Sequence, residues 1–259
     1  MVAVETCTHP VFTPESPPIY HEMNPLQAYL ALLNDMSASN RELAEFKKDI
    51  LEKEREEGIP TIGDGRYVSI SPGRTLEPSY YRPLAEALVA DGFRPRILSG
   101  GEGLRRYSLV DEGEDMIRSA EKIKDETGQK SIIVTHSKSG YAILRKMRDE
   151  STRVARNISH VVIMGAHPQA RIEPTLASNS WPWLALSPDY NLLDDIKEIE
   201  EVPKIIGVKV TIIVSSNDPI VQLPLNFRPQ EENHMIESSH YGMPHNVVTY
   251  RIILQDLVA

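Results

Sequence analysis

The sequence predicts an α/β protein built on a mostly parallel sheet of about six strands, flanked by helices. Two observations support this prediction. Short apolar runs such as SIIVT (131–135), HVVIM (160–164) and KVTIIVS (209–215) are typical of buried strands, and segments with helical spacing separate them. Strands that are buried on both faces and joined by helices form parallel sheets with right-handed crossovers.

The predicted elements follow one another along the chain from residue 67. The predicted strands are residues 67–71, 94–98, 131–135, 160–164, 209–215 and 234–237, and the predicted helices are residues 80–91, 111–127, 138–148 and 246–257. Glycines at positions 92 and 128 follow two of these helices, as left-handed C-terminal caps do.

The first 60 residues have a different pattern. Residues 1–23 have no hydrophobic period and are interpreted as an irregular arm. Two capping patterns, Asn24-Pro25-Leu26-Gln27 and Ser39-Asn40-Arg41-Glu42, predict two helices. We interpret residues 1–60 as an arm and helical extension, either packed on the body or serving as a gating arm or in a homodimer, and residues 61–259 as the main domain.

Composition limits the classes of function. The 259 residues include 28 Lys and Arg against 37 Asp and Glu, and the net charge of −9 argues against a nucleic-acid partner. A single cysteine, Cys7, excludes an internal disulfide and a cysteine-based metal site. No apolar run approaches the roughly 18 residues of a membrane span, and no secretory signal is recognisable at the N-terminus. We therefore expect a cytoplasmic protein whose partner is a small molecule.

Three strand ends carry the residues of a nucleophilic site. In proteins built on a parallel sheet, the residues that bind and react with ligands lie at the carboxyl ends of the strands. Ser137, in the run HSKSG (136–140), stands between a buried strand and a helix, as at the nucleophile elbow of α/β-hydrolases. The last two predicted strands lead to Asp218 and His240, which completes the order serine, acid, histidine. We predict that these three residues form a catalytic triad.

The elbow departs from the usual pattern, and other histidines compete for the role of base. Small residues, mostly glycine, normally lie two positions before and two after the serine, where this chain has Thr135 and Ser139. His245, near the start of the closing helix, is the alternative base. His234 and His160 lie in or beside predicted strands and are interpreted as structural.

From about residue 67 onward the chain resembles a serine esterase or lipase of the α/β-hydrolase superfamily. The run Ser71-Pro72-Gly73-Arg74-Thr75 follows the first strand, and its Pro-Gly pair is similar to that of certain fungal lipases, which also have threonine two residues before the nucleophile. Gly165-Ala166-His167-Pro168 resembles the opening of a lid and Asn191-Leu192-Leu193 its closing segment. The resemblance implies an α/β-hydrolase fold with a short lid insert at about 166–192.

The expected chemistry is acyl transfer. Ser137 would attack an ester carbonyl, with His240 as base and then acid, and Asp218 orienting the imidazole. The backbone N–H of Lys138, together with that of Arg74 or Thr75, would form the oxyanion hole. The side chains of Arg74 and Lys138 are also candidates for a cationic rim. The candidates for a substrate-binding wall are Trp181, Trp183 and His167.

Other functions remain open at this stage. A dinucleotide site at Gly100-Gly101-Glu102-Gly103 is disfavoured because no third glycine opens a helix, and no HExxH motif predicts a metal centre, so we expect no cofactor and no metal. A thioesterase, lactonase or cyclase acting on a biosynthetic intermediate is the alternative within the enzymes. A non-catalytic hydrolase-fold protein that binds a ligand is the alternative outside them.

Overall fold

The computed structural model describes residues 25–52, 63–73, 76–99, 108–172, 199, 201–223, 227 and 233–258. The predicted arm at 1–23, positions 74 and 75, the glycine run at 100–103 and the predicted lid insert (about 166–192) from residue 173 onward lie outside the described residues. None of the helices in the described ranges is long and apolar enough to cross a membrane.

Eight strands and six α-helices make up the described part of the chain. The strands are β1 (Tyr67–Ser71), β2 (Arg94–Ile97), β3 (Ser131–His136), β4 (Ile158–Met164), β5 (Arg171–Ile172), β6 (Lys209–Ser215), β7 (Val221–Gln222) and β8 (Asn233–Ile236). The helices are α1 (Pro25–Phe46), α2 (Arg82–Ala90), α3 (Leu109–Thr127), α4 (Lys138–Asp149), α5 (Ser151–Asn157) and α6 (Val247–Val258). A π-helical segment, Lys47–Glu52, continues α1, and 3-10 turns occupy Pro78–Tyr81 and Met243–His245.

Six of these strands form one sheet in the order β2-β1-β3-β4-β6-β8. Every neighbouring pair in it is parallel, whereas β5 and β7 form a separate antiparallel pair. The prediction of a mostly parallel sheet of about six strands is therefore confirmed. Because the strands run in one direction, the carboxyl ends of β3, β6 and β8 lie at the same edge, which brings the residues that follow them together.

Helices cover both faces of the sheet. Alternate residues of a strand point to opposite faces, so Ile133 packs with α3, α4 and α5, whereas Ile132 and Val134 pack with α2 and α6. Phe46 and Ile50, at the end of α1 and just beyond it, join the second cluster. Burial of each such side chain contributes roughly 1.5–3 kcal/mol, so this core holds the strand ends in fixed positions.

The N-terminal helix differs from the prediction. α1 runs without interruption through Ser39, so the predicted second helix start at that residue is wrong. The residues of the supposed capping box have tertiary partners instead: Ser39 Oγ is hydrogen-bonded to the Tyr80 hydroxyl, and the Glu42 carboxylate accepts hydrogen bonds from Ser238 and Ser239. These side chains bind the body of the protein and do not cap a helix end.

Candidate active site

Ser137 lies at a sharp turn between β3 and α4. Its φ of 56° and ψ of −124° make it the one non-glycine residue with positive φ in the described ranges. Such a conformation costs on the order of 1–3 kcal/mol and persists where the surroundings impose it. The Ser137 N–H donates to the Met164 carbonyl at 2.7 Å, and the Gly140 N–H donates to the Ser137 carbonyl at 2.9 Å. The turn is therefore held by its neighbours on both sides, with the Ser137 side chain half-buried.

The two residues that replace the usual elbow glycines are accommodated by hydrogen bonds. Thr135 Oγ1 donates to the Val162 carbonyl at 3.2 Å, within the sheet. Ser139 Oγ accepts the His136 N–H at 2.9 Å and donates to the Ser71 carbonyl at 3.0 Å, which ties the elbow to the end of β1. Both hydroxyls are buried with partners, so neither substitution disrupts the turn.

Gly140, in the first turn of α4, packs closely against the end of β4 and the residues that follow it. A Cβ atom at this position would lie 2.7 Å from both the Ala166 Cβ and the Ile163 Cγ2. We expect Gly140→Ala to lower the free energy of unfolding by roughly 1–3 kcal/mol, because the added methyl overpacks the core despite the better helix propensity of alanine. Urea unfolding followed by circular dichroism measures this. Adding Ala166→Gly removes one of the two clashing atoms and should recover part of the loss; equal stability of Gly140→Ala and wild type would contradict the expectation.

The three residues predicted as a triad form one hydrogen-bonded series. Ser137 Oγ lies 2.9 Å from His240 Nε2, and His240 Nδ1 lies 2.6 Å from Asp218 Oδ2. The other carboxylate oxygen, Asp218 Oδ1, accepts the N–H groups of Ile220 and Val221 at 2.8 Å each. Asp218 and His240 are both buried. A neutral imidazole in this series donates from Nδ1 to the carboxylate and accepts the serine hydroxyl proton at Nε2.

The electrostatic environment of His240 favours its charged form. Burial lowers the pKa of the imidazole, but the charge and hydrogen bond of Asp218, together with the charge of Asp35, outweigh that effect and raise the pKa above its usual value. An imidazole with a raised pKa accepts a proton more readily, which is what a general base requires.

The competing histidines do not reach Ser137. His245, the alternative base, is buried and donates from Nε2 to the Tyr80 carbonyl at 2.7 Å, and burial lowers its pKa to about 4. His160 is buried as predicted, with Nε2 2.9 Å from Thr211 Oγ1. His234 lies on β8 with its Nε2 3.9 Å from Asp256. Of the predicted bases, His240 is the one whose ring lies within hydrogen-bonding distance of Ser137 Oγ in the described part of the chain.

A buried histidine that the sequence did not single out links two sides of the site. Gly73 donates its N–H to the Tyr81 hydroxyl oxygen at 2.7 Å, and that hydroxyl lies 2.8 Å from His136 Nδ1. His136 Nε2 lies 2.9 Å from the His240 carbonyl, so Nε2 carries the proton and the tyrosine hydroxyl donates to Nδ1. Burial, and then the charge of His240, keep the pKa of His136 well below its usual value. His136 therefore joins the loop after β1 to the loop of His240 as a neutral group.

Lys138 begins α4 directly after Ser137, which is the N-cap residue, so the backbone N–H of Lys138 lies in the first turn, where N–H groups have no partner within the helix. Its side chain does not form the expected cationic rim. Lys138 Nζ lies 3.8 Å from Glu112 Oε2, and the two side chains are only 9% and 11% exposed. The prediction was wrong for Lys138 because its charge is buried against a carboxylate. Arg74 and Thr75 lie outside the described residues.

His167 is buried rather than open to solvent. Its ring packs edge-on against Phe227 at a centroid distance of 4.9 Å, and its Nδ1 accepts the Gln169 N–H at 3.1 Å. Burial lowers its pKa to about 4, so the side chain is neutral near pH 7. A contact between His167 and substrate stays a prediction, as do the roles of Trp181 and Trp183, which lie outside the described residues.

Comparison with known proteins identifies the fold. Neither a protein-family model nor a curated protein sequence matches this chain. Lipase BlEst2 from Bacillus licheniformis, in its mature form, is 14% identical with a TM-score of 0.59, over 78% of this chain and 95% of its own. Aspergillus fumigatus lipase B is 12% identical with a TM-score of 0.59, over 77% of this chain and 54% of its own. Polyneuridine aldehyde esterase is 14% identical with a TM-score of 0.50, over 76% of this chain and 100% of its own.

These similarities show the fold of the chain. It has an α/β-hydrolase fold of the kind found in lipases and esterases, as the sequence motifs predicted. At 12% to 15% identity the likeness concerns the fold, and the chemistry has to be argued from the residues of this chain.

Proposed function

We propose that the protein is a serine hydrolase that cleaves a carboxylic ester through an acyl-enzyme at Ser137. The observation that carries this proposal is the hydrogen-bonded series of Ser137, His240 and Asp218 at a strained turn after the central strand. A serine hydroxyl is a weak nucleophile until a base takes its proton, and His240 Nε2 lies within hydrogen-bonding distance of that hydroxyl.

The reaction follows from the direction of these hydrogen bonds. As Ser137 Oγ bonds to the carbonyl carbon, its proton moves to His240 Nε2 and the carbonyl oxygen becomes an oxyanion. Asp218 faces the imidazolium that forms. When the tetrahedral intermediate collapses, the bond to the alkoxide breaks and His240 gives its proton to the departing oxygen. Water then repeats the sequence on the acyl-enzyme, which releases the carboxylic acid and regenerates the serine.

The oxyanion would be held by backbone N–H groups. We propose that Lys138 supplies one of them, because α4 begins at this residue and the N-terminus of a helix favours negative charge. The second would come from Arg74 or Thr75, on the loop that Gly73 anchors through Tyr81 and His136. In enzymes of this kind, loss of one oxyanion donor lowers the rate roughly 10²–10³-fold.

The proposal also covers the class of substrate. We propose a small-molecule ester whose acyl group lies against the lid insert, where Trp181, Trp183 and His167 are the candidate contacts. A cytoplasmic location and a homodimer through the N-terminal helix stay predictions. Thioesters and lactones would react through the same kind of acyl-enzyme. The experiments that test the esterase function therefore also test the alternatives of a thioesterase, lactonase or cyclase.

Labelling by a fluorophosphonate tests the proposal. An activated serine attacks the phosphorus and displaces fluoride, so we expect intact wild type to be labelled on Ser137 and heat-unfolded protein to stay unlabelled. Peptide mass spectrometry locates the adduct. His240→Ala is the matched variant and should label far more slowly, since it keeps the serine and removes its base.

A panel of p-nitrophenyl esters, acyl thioesters and lactones then identifies the acyl group and the leaving group. Preference for thioesters or lactones over esters would replace the esterase by one of its alternatives. Absence of labelling, together with binding of panel compounds without turnover, would reject the enzyme and leave a ligand-binding protein.

A further inference from the structure

The N-terminal helix holds the loop that carries His240. Asp35, in α1, is buried, and its two carboxylate oxygens accept backbone N–H groups on that loop. Oδ1 accepts the N–H of His240 at 2.8 Å, and Oδ2 accepts the N–H of Tyr241 at 3.1 Å. Both oxygens of one side chain are thus used to fix the backbone of the histidine and of the residue after it.

A second carboxylate of α1 binds the preceding residues of the same loop. Glu42 Oε1 accepts the Ser239 N–H at 2.7 Å, and Oε2 accepts the Ser238 hydroxyl at 2.7 Å. The absence of a side chain at Gly242 leaves room for this carboxylate, because a Cβ there would collide with it. Asp35 and Glu42 are seven positions apart, two helical turns, so they lie on one face of α1.

Asp35 affects the pKa of His240, whereas Glu42 is not among the causes of its shift. The charges of Asp35 and Asp218 both raise the pKa of His240, against the lowering effect of burial. Burial raises the pKa of Asp35 itself, while the N–H groups of Tyr241 and His240, and then the charge of His240, lower it. Burial is also the main cause of the raised pKa of Glu42. Among the described residues, the titratable and charged groups next to His240 are Asp218 after β6, Asp35 from α1, which contacts its backbone, His136 at the end of β3 and Tyr241 beside it.

We propose that Asp35 is a positioning residue that acts through His240: it fixes the backbone carrying the imidazole and places, besides Asp218, a second negative charge near the imidazolium that forms during acyl transfer. This inference rests on the proposed function and deepens it. It makes α1 a part of the catalytic apparatus rather than an appendage, although α1 lies in the segment that the sequence suggested was separate from the main domain.

The test is Asp35→Asn, read by two measurements. The amide keeps nearly the same shape and one acceptor oxygen, but it has no charge and leaves one of the two N–H groups without its acceptor. We expect kcat/KM on the plateau to fall about 10–100-fold, the range for loss of a charged hydrogen-bond partner. We also expect the acid limb of the kcat/KM profile to move to lower pH, because removing a negative charge lowers the pKa of the histidine that must be neutral to act as base.

Two variants on the same helix separate charge from anchoring. Glu42→Gln weakens the other loop anchor, and the charge of Glu42 is not among the causes that shift the pKa of His240. It should lower kcat/KM while leaving the acid limb in place. Glu45→Gln removes a charge from an exposed position of α1 and should match wild type in both measurements. If Asp35→Asn and Glu42→Gln lose activity alike with unmoved acid limbs, Asp35 is only an anchor and the inference is overturned.

Histidine titration by NMR keeps this test independent of the proposed function. The ring proton signals of His240, assigned by comparison with His240→Gln, report its protonation without any turnover. A lower midpoint in Asp35→Asn supports the inference even if no ester is cleaved, whereas an unchanged midpoint overturns it even in an active esterase. If Asp35→Asn does not fold, Asp35→Glu keeps the charge and displaces it by one methylene. A shifted His240 midpoint in Asp35→Glu then supports the inference, because displacing the charge changes its effect on the imidazole. Reduced kcat/KM with an unchanged midpoint shows an anchor only and contradicts it.

Discussion

Replacing Ser137 by alanine is expected to lower kcat for a short-chain p-nitrophenyl ester about 10⁶-fold, the loss measured when a serine triad loses its nucleophile. The physical reason is that no acyl-enzyme can form without the Ser137 oxygen, which lies 2.9 Å from the base that would activate it. Steady-state release of p-nitrophenol measures the effect. Titration of the Ser137→Ala preparation with a fluorophosphonate measures the amount of contaminating esterase, and that amount sets the background of the assay.

Ser159→Ala is the matched control for this substitution. Ser159 lies on β4, and its hydroxyl donates to the Ser131 carbonyl at 3.3 Å, near the amino-terminal ends of β3 and β4 and away from the site. This variant should retain wild-type kcat. Equal activity of wild type and Ser137→Ala would show that Ser137 is not the nucleophile and would remove the basis of the proposed function.

Asp218→Asn is expected to lower kcat about 10⁴-fold, as in other triads in which the acid becomes an amide. The structure supplies a specific reason. The N–H groups of Ile220 and Val221 both point at Oδ1, so an amide placed there keeps its oxygen in that position and turns its NH₂ toward His240. His240 Nδ1 must then accept, which moves the ring proton to Nε2, where it opposes the Ser137 hydroxyl.

The comparison for this variant is Asp256→Asn. Asp256, on α6, accepts a hydrogen bond from Thr211 and lies 3.2 Å from Lys209, so it is a structural carboxylate. We expect this substitution to change the melting temperature more than kcat. A loss below tenfold for Asp218→Asn, with an unchanged fold by circular dichroism, would mean that Asp218 does not orient the base.

The sequence by itself determined the parallel sheet and the edge of it at which the residues of the candidate site lie. Apolar runs of four to seven residues specify strands buried on both faces, and such strands form a parallel sheet. Once the strands are parallel, the residues that follow them share one edge, so Ser137, Asp218 and His240 were predictable as neighbours without any knowledge of side-chain contacts.

Only the tertiary structure decided which polar side chains support those three residues. His136 and Lys138 have the same sequence context as ordinary residues around a strand end, yet one is a buried neutral link and the other is paired with Glu112. Nothing in the local pattern distinguishes them, because their partners come from distant parts of the chain.

The N-terminal helix shows most clearly the difference between what local sequence determines and what tertiary contacts determine. Ser39 and Glu42 match a capping box, and the sequence therefore predicted a helix start where α1 in fact continues. Asp35 contacts the His240 backbone across 205 positions of sequence, and Glu42 contacts Ser239 across 197. Local pattern determines how a segment folds when its polar groups bind their own backbone. Here those groups bind a loop whose position depends on the folded sheet, so the tertiary structure alone decided their role.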